Sequence, residues 1–300
     1  MGAYKTILVG TEFSPVCEVG LSATKVLAEK LGARRVHVVH VAAELPDFLP
    51  PVPSPGMEVA IARTLELLKE RLDALAIDIP NTEVTRELRR GLPARELSIV
   101  ASDVRADLIV IASHGRGALG RFLYGSVGSK LVRIAHVPVF VARMDKQLDP
   151  SFPRVLAAVD LSPVSSHVLE HAFNLAGDDG IVHVLSAFEP PIVTMEKDDL
   201  FPRYLSGSEL AAVERARTEA LEELVKQAGG ATRRHQIDVV RKAPPPNVVL
   251  EVAEITSPDL IVLGTSGRSA LGRMILGSTA TRVLAEAHAP VLVVPYDAQA

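Results

Sequence analysis

The sequence predicts an α/β protein made of two tandem domains, each carrying a doubly wound five-stranded parallel sheet, and three observations carry that expectation. The segment DLIVIASHGRGALGRFLYGS from Asp107 to Ser126 returns as DLIVLGTSGRSALGRMILGS from Asp259 to Ser278, 152 residues later. Upstream, ILVGTEFSP from Ile7 to Pro15 reappears as VLAAVDLSP from Val155 to Pro163, offset by 148. Within each half, short apolar runs alternate with amphipathic stretches, the pattern of strands feeding helices that pack on a parallel sheet. Two similar offsets at separate places mean that whole domains are duplicated, residues 1–145 and 153–300, joined by the linker DKQLDPSFP from Asp145 to Pro153. Half of a 300-residue chain is a common domain size, about 100 to 150 residues, and buries its own core.

The elements follow in order. In the first half the predicted strands are Thr6 to Gly10, Arg35 to Val41, Glu83 to Arg89, Leu108 to Ser113 and Val137 to Arg143. In the second they are Arg154 to Val159, Ile181 to Phe188, Ile237 to Lys242, Leu260 to Gly264 and Pro290 to Pro295. Ser14-Pro15 and Ser162-Pro163 place a capping hydroxyl and then proline where a helix should begin, and Gly32 and Gly177 lie where those helices should stop. Val16, Val19, Ala23, Val26, Leu27 and Leu31 keep helical spacing on one face. The spacing of leucines predicts the next helices over Val59 to Leu75 and Glu209 to Lys226. Two proline-rich segments, Leu45 to Gly56 and Glu189 to Gly207, read as loops over the sheet's carboxyl edge, either plain connections or flaps beside a ligand.

Composition excludes several classes. Hydrophobic residues make up 48% and charged ones 23%, with no apolar run near the roughly 20 residues of a membrane span. MGAYKTILVG leads directly into a strand without a secretory pattern, and the single cysteine, Cys17, cannot form an intramolecular disulfide, so a reducing cytoplasm is expected. A net charge of −4 argues against nucleic acid. The basic clusters Arg86, Arg89, Arg90 and Arg233, Arg234, His235 read as solvated faces.

In an open parallel sheet, ligands settle beyond the carboxyl ends of the strands, where strand order reverses. Both duplicated motifs fall there. The fourth strand of the second half ends in Gly264-Thr265-Ser266-Gly267, nine residues follow, and Gly277-Ser278 opens a helix. A helix start presents unpaired N–H groups and partial positive charge, so Gly277, Ser278 and Thr279 form an anion seat, while Gly264 and Gly267 let the backbone approach a phosphate.

Three lookalikes fail. Gly115, Gly117 and Gly120 match G-x-G-x-x-G but follow the fourth strand rather than the first, and no acid stands about 20 residues on. Gly272 to Ser278 resembles a P-loop without its lysine, which argues against fast NTP hydrolysis. Ser113 and His114 adjoin in sequence, so their side chains diverge on extended backbone.

The spacing G-x2-G-x9-G-S at Gly264, Gly267, Gly277 and Ser278, the early VDLS with Asp160, and a final APVLVVP strand resemble the universal stress protein family in a tandem form, over nearly the whole chain twice. The resemblance implies a Rossmann-like sheet in order 3-2-1-4-5 with helices on both faces, and a bound ATP, ADP or AMP, with Mg2+ as a companion of the phosphates. Carried over, Asp160 would meet the nucleoside, Ala187 and Leu263 would line adenine, and Gly264, Gly267, Gly277, Ser278 and Thr279 would hold phosphates. Arg116, Arg121, Arg268 and Arg273 recur at matching positions of the two repeats and read either as phosphate contacts or as solvated side chains. The final strands, VPVFVAR and APVLVVP, are apolar edges that related proteins pair, which implies an intrachain pseudo-dimer and a homodimer of chains.

The halves are unequal. The weaker candidate site of the first comprises Glu12, Val41, Ala112, Gly115, Arg116, Gly125, Ser126 and Val127. Ala112 stands where the first glycine of the motif belongs and Glu12 replaces the aspartate, so the second domain is expected to bind nucleotide more tightly. His167 and His171, four apart on a helix, would need a third ligand to hold a metal. The function expected is a cytoplasmic stress-response protein that acts by ligand-dependent conformation, with at most slow ATP hydrolysis. The rival is a nucleotide-independent interaction module. An adenylating enzyme on a similar sheet lacks support, since neither H-x-G-H nor S-G-G-x-D-S occurs.

Overall fold

A computed structural model describes residues 4–43, 55–113, 126–144, 148–149, 151–189, 192–193, 203–265 and 276–296. The chain divides into two compact units, Met1–Pro150 and Ser151–Ala300.

The first unit runs β1 (Thr6–Thr11), α1 (Pro15–Leu31), β2 (Arg35–Ala42), α2 (Pro55–Asp73), β3 (Glu83–Arg90), α3 (Pro93–Asp103), β4 (Leu108–Ser113), α4 (Ser126–Ile134) and β5 (Val139–Arg143). Its strands are all parallel, in the order β3-β2-β1-β4-β5. Strands β1, β4 and β5 are buried almost throughout because helices cover both faces, which is why they are continuous apolar runs rather than alternating ones. Edge strand β3, half-buried, carries the charges instead.

The second unit repeats this with β6 (Arg154–Ala158), α5 (Ser165–Ala176), β7 (Ile181–Phe188), β8 (Ile192–Val193), β9 (Arg203–Tyr204), α6 (Gly207–Gln227), β10 (His235–Arg241), α7 (Pro245–Thr256), β11 (Leu260–Gly264), α8 (Ser278–Glu286) and β12 (Val291–Val294). The parallel order is β10-β7-β6-β11-β12, the expected 3-2-1-4-5. Helix α5 packs beside α6, and α7 beside α8.

Local signals explain most boundaries. Ser14 is extended, Pro15 occupies the first turn of α1, and Gly32 closes it at φ 64°, a left-handed cap that suits glycine. Helix α6 starts with a capping box between Ser206 and Glu209. Helix α5 departs from expectation: it begins at Ser165, two residues later than α1 does relative to its serine-proline pair, although Leu161 at φ 63° and the bond from Ser165 N–H to the Ser162 carbonyl match Phe13 at φ 60° and the bond from Cys17 N–H to the Ser14 carbonyl. The segment after β7 was expected as loop only. Within it β8 and β9 form a short antiparallel ladder. Residues 45–54 of the first proline-rich segment, Arg116, Arg121, Arg268, Arg273 and residues 145–147 and 150 of the linker lie outside the described residues, while Pro55 and Gly56 at the end of that segment open α2.

The opening aspartate of each repeated motif has a structural task. Asp107 Oδ2 accepts from the Lys5 and Thr6 amides at 2.7 and 2.8 Å, and Asp259 Oδ2 accepts from the Arg154 amide at 3.1 Å. Each therefore pins the start of the central strand beside the strand that follows it.

Candidate functional site

In the second unit the central strands β6 and β11 end side by side, with Ala158 paired to Leu263. Above them lies a cavity of about 310 Å³. Its apolar floor comes from Ala158, Val168, Leu185, Ala187, Val249 and Leu263, residues of β6, α5, β7, α7 and β11. Such a volume is at the lower end of small-molecule sites, roughly 300 to 1,000 Å³.

One wall is the turn after β6. Asp160 Oδ1 accepts from the Ser162 amide at 3.1 Å and faces the Ser165 hydroxyl at 3.5 Å, which fixes the carboxylate at the cavity's edge. Leu161, between them, holds the left-handed conformation that apolar residues seldom adopt. Phe13, at the matching place in the first unit, does the same at φ 60°. Local strain of this kind is tolerated where the surroundings impose it.

The opposite wall is the start of α8. Thr265 N–H donates to Val294 O at 2.9 Å, Gly277 N–H donates to Thr265 O at 2.7 Å, and the Tyr296 amide donates to Thr265 Oγ1 at 3.2 Å. The Gly277 bond joins the end of β11 to the beginning of α8, and the other two join it to β12 and the residues after it. The Gly277 amide is thereby occupied, so of the expected anion-seat residues it is Ser278 and Thr279, with Ala280 beside them, whose amides have no partner among the described residues; Gly277 supplies no side-chain cap, and all three residues line the cavity. An unsatisfied helix start of this kind attracts negative charge.

Gly264 has a reason the sequence did not reveal. A β-carbon there would fall 2.6 Å from Val164 Cγ1. Close packing against α5, rather than approach of a ligand alone, demands the glycine. In the first unit Ala112 carries the methyl group and meets α1 at Gly20, where a β-carbon would sit in ordinary contact, 3.4 Å from Ala112 Cβ; the counterpart of Val164 is Val16, not Gly20. Val168 stands at the position of Gly20.

Of the residues expected to bind, Asp160, Ala187, Leu263, Gly264, Gly277, Ser278 and Thr279 meet around this one cavity. Val164, Ser165, Val168, Pro245, Val249 and Ala280 join them without having been singled out, because they come from α5, α7 and a helix interior that carry no motif. Gly267 and Arg268 lie outside the described residues, as do Gly115, Arg116 and Gly125.

The corresponding edge of the first unit is furnished differently. The Phe13 and His40 rings stand 4.3 Å apart, Arg71 lies 4.8 Å over Phe13 and donates to its carbonyl, and His40 Nδ1 donates to Thr11 O at 2.7 Å. Leu97 closes on Gly10, where a β-carbon would be 3.1 Å from its Cδ1. Glu12, exposed, accepts from Ser14 Oγ, and its amide donates to the sulfur of Cys17, which replaces Ser165. Val41 ends β2, Ala112 lies in β4, and Ser126 and Val127 open α4.

Among the described residues no three His, Cys, Asp or Glu side chains converge as a metal site. Burial, and then the neighbouring His167, push the pKa of His171 down to about 4. No described helix is long and apolar enough to cross a membrane.

Comparison with known proteins places this geometry. A sequence profile of the universal stress protein family matches the chain twice, at residues 3–143 and 151–295. A universal stress protein of Mycobacterium tuberculosis is 31% identical over 272 residues, which cover 85% of either chain. One from Thermus aquaticus is 36% identical over 144 residues, 47% of this chain and 99% of its own. The crystal structure of a universal stress protein from Archaeoglobus fulgidus shares the fold at a TM-score of 0.69 and 20% identity, covering 99% of this chain and 100% of that one. With two copies of the profile spanning nearly its whole length, the chain belongs to the universal stress protein family.

Proposed function

We propose that the second domain binds an adenine nucleotide, ATP or its di- or monophosphate, and that the protein acts as a ligand-dependent switch in the stress response rather than as a rapid catalyst. One observation carries the reading: a cavity with an apolar floor lies between an anchored carboxylate, Asp160, and three unpartnered amides at the start of α8. A planar base suits the floor of Val168, Leu185, Ala187 and Leu263. A carboxylate, which only accepts hydrogen bonds, suits ribose hydroxyls. The amides of Ser278, Thr279 and Ala280 suit phosphate oxygens, each charge-assisted bond contributing about 1.5 to 3 kcal/mol. Mg2+ would arrive with the phosphates, since it relies on substrate phosphates and few carboxylates, and Asp160 is the carboxylate lining the cavity.

The rival reading, a nucleotide-independent interaction module, draws support from Gly264, whose packing against Val164 gives the fold its own reason for the glycine. Isothermal titration of ATP, ADP and AMP into the full chain and its Asp160→Ala variant separates them. Saturable heat in the wild type that weakens at least about tenfold in the variant supports the switch. A wild type that takes up none of the three supports the module.

A further inference from the structure

A second cavity, about 460 Å³ and open to solvent, lies in the first unit between α1 and the connection from α2 to β3. Leu21, Leu75 and Ile77 give it apolar walls, and Lys25, Asp78 and Arg86 give it charge. The sequence suggested that Arg86 belongs to a solvated basic face; the fold corrects this. Arg86 is partly buried, its Nη2 donates to Leu75 O at 2.8 Å, and its Nε is buried without a hydrogen-bond partner among the described residues. Neither Arg86 nor Lys25 has a carboxylate within ion-pair distance among the described residues. A half-buried guanidinium without a counter-ion is costly, because buried charges are ordinarily paired.

The duplicated unit supplies an internal control. Arg86 lies beside Val38, and at the same register Ile237 lies beside Val184. The position of Lys25 is taken by Phe173, which is 1% exposed and packs so closely on Gly230 that any β-carbon there would collide with its ring. The second unit thus fills with an aromatic ring the place that the first leaves open and lines with two cations.

We infer that this cleft of the first domain is a binding site for a small monoanion with an apolar body, such as a short-chain carboxylate. Two cations against one carboxylate leave a single net positive charge, which favours a monoanion over a phosphate dianion. The Arg86 guanidinium, on the cleft wall, and the Lys25 ammonium would take the carboxylate, and Leu21, Leu75 and Ile77 would take the chain, with the adjoining buried Nε–H sensing the change.

Hexanoate is the probe, and the Arg86 Nε–H nuclear magnetic resonance signal, assigned by its loss in Arg86→Gln, is the readout on the full chain. Hexanoate should shift that signal saturably in the millimolar range or below, phosphate should bind more weakly, and hexanol should leave the signal in place. Lys25→Gln, a change at an exposed position, should weaken hexanoate roughly tenfold even if Arg86→Gln fails to fold. A signal that does not saturate, an equal response to hexanol, tighter binding of phosphate, or unchanged affinity in Lys25→Gln each overturns the assignment.

Discussion

At the scale of single residues, the fourth strand of each domain meets a different neighbour at its carboxyl end. Gly264 faces Val164, while Ala112 faces Gly20, whose counterpart is Val168. Adding a methyl group to a filled site costs about 1 to 3 kcal/mol, so Gly264→Ala should lower the unfolding free energy measured by urea titration by that amount. The cost should shrink markedly in a Val164→Ala background; a double-mutant cycle showing no coupling would mean that the 2.6 Å approach does not limit the site. The sequence marked Gly264 as special but not why, since its neighbour stands 100 positions away. The same holds for Gly277: the motif showed a helix start, but only the fold shows its amide taken by Thr265. The donors can be tested one atom at a time. Ser278 is the first residue of α8, its amide bonds nothing among the described residues, and Gly277 before it already has the extended conformation, φ −61° and ψ 155°, that a following proline requires. Ser278→Pro should therefore leave stability within about 0.5 kcal/mol and weaken nucleotide binding by roughly tenfold, one charge-assisted bond. Unchanged affinity by titration would remove that amide from the site.

At the scale of elements, the strands were legible because burial on both faces writes them as apolar runs, and α1 because serine, proline and glycine punctuate its ends. The start of α5 lies two residues beyond its signal: Ser162-Pro163 looks like Ser14-Pro15, and a left-handed residue and an amide-to-serine bond precede both helices, yet α1 begins at Pro15 and α5 at Ser165. The turn that precedes α5 carries the Asp160 wall. Helix α5 also carries a pH dependence. His171 holds its proton only below about 4, chiefly because it is buried and secondarily because His167 is near. An unfolded chain would protonate it near the ordinary 6.5. Between these values the unfolded state binds the extra proton, so stability is complete above pH 6.5, falls as pH drops towards 4, and changes no further below that on this residue's account. The full effect is about 3 kcal/mol. His171→Leu should show a flatter stability profile than the wild type between pH 6.5 and 5, where most carboxylates stay ionised; equal slopes in both proteins would assign the loss elsewhere.

At the scale of the whole molecule, duplication gives two units with one strand order but different carboxyl edges. In the second, apolar lining, a held carboxylate and free amides surround a cavity; in the first, Leu97 lies on Gly10, and the Phe13, His40 and Arg71 stack occupies the turn after β1. If the second unit alone takes nucleotide, ligand free energy must enter there. A ligand at 100 times its Kd stabilises the folded form it binds by about 2.7 kcal/mol, and slows amide exchange through openings that release it by about 100-fold. Hydrogen exchange on the intact chain with saturating ATP should then show slower exchange at β6, at β11 and at the start of α8, reaching that factor for amides that exchange only when the unit opens fully. Amides of β1, β4 and α4 should keep their rates. Equal slowing in both sets would mean that the first domain binds as well, and that Glu12 and Ala112 are compatible with nucleotide despite their departure from the second domain's residues. Slowing confined to the first set of strands, with α8 unchanged, would separate nucleotide binding from the helix start and move the phosphate seat away from Ser278, Thr279 and Ala280.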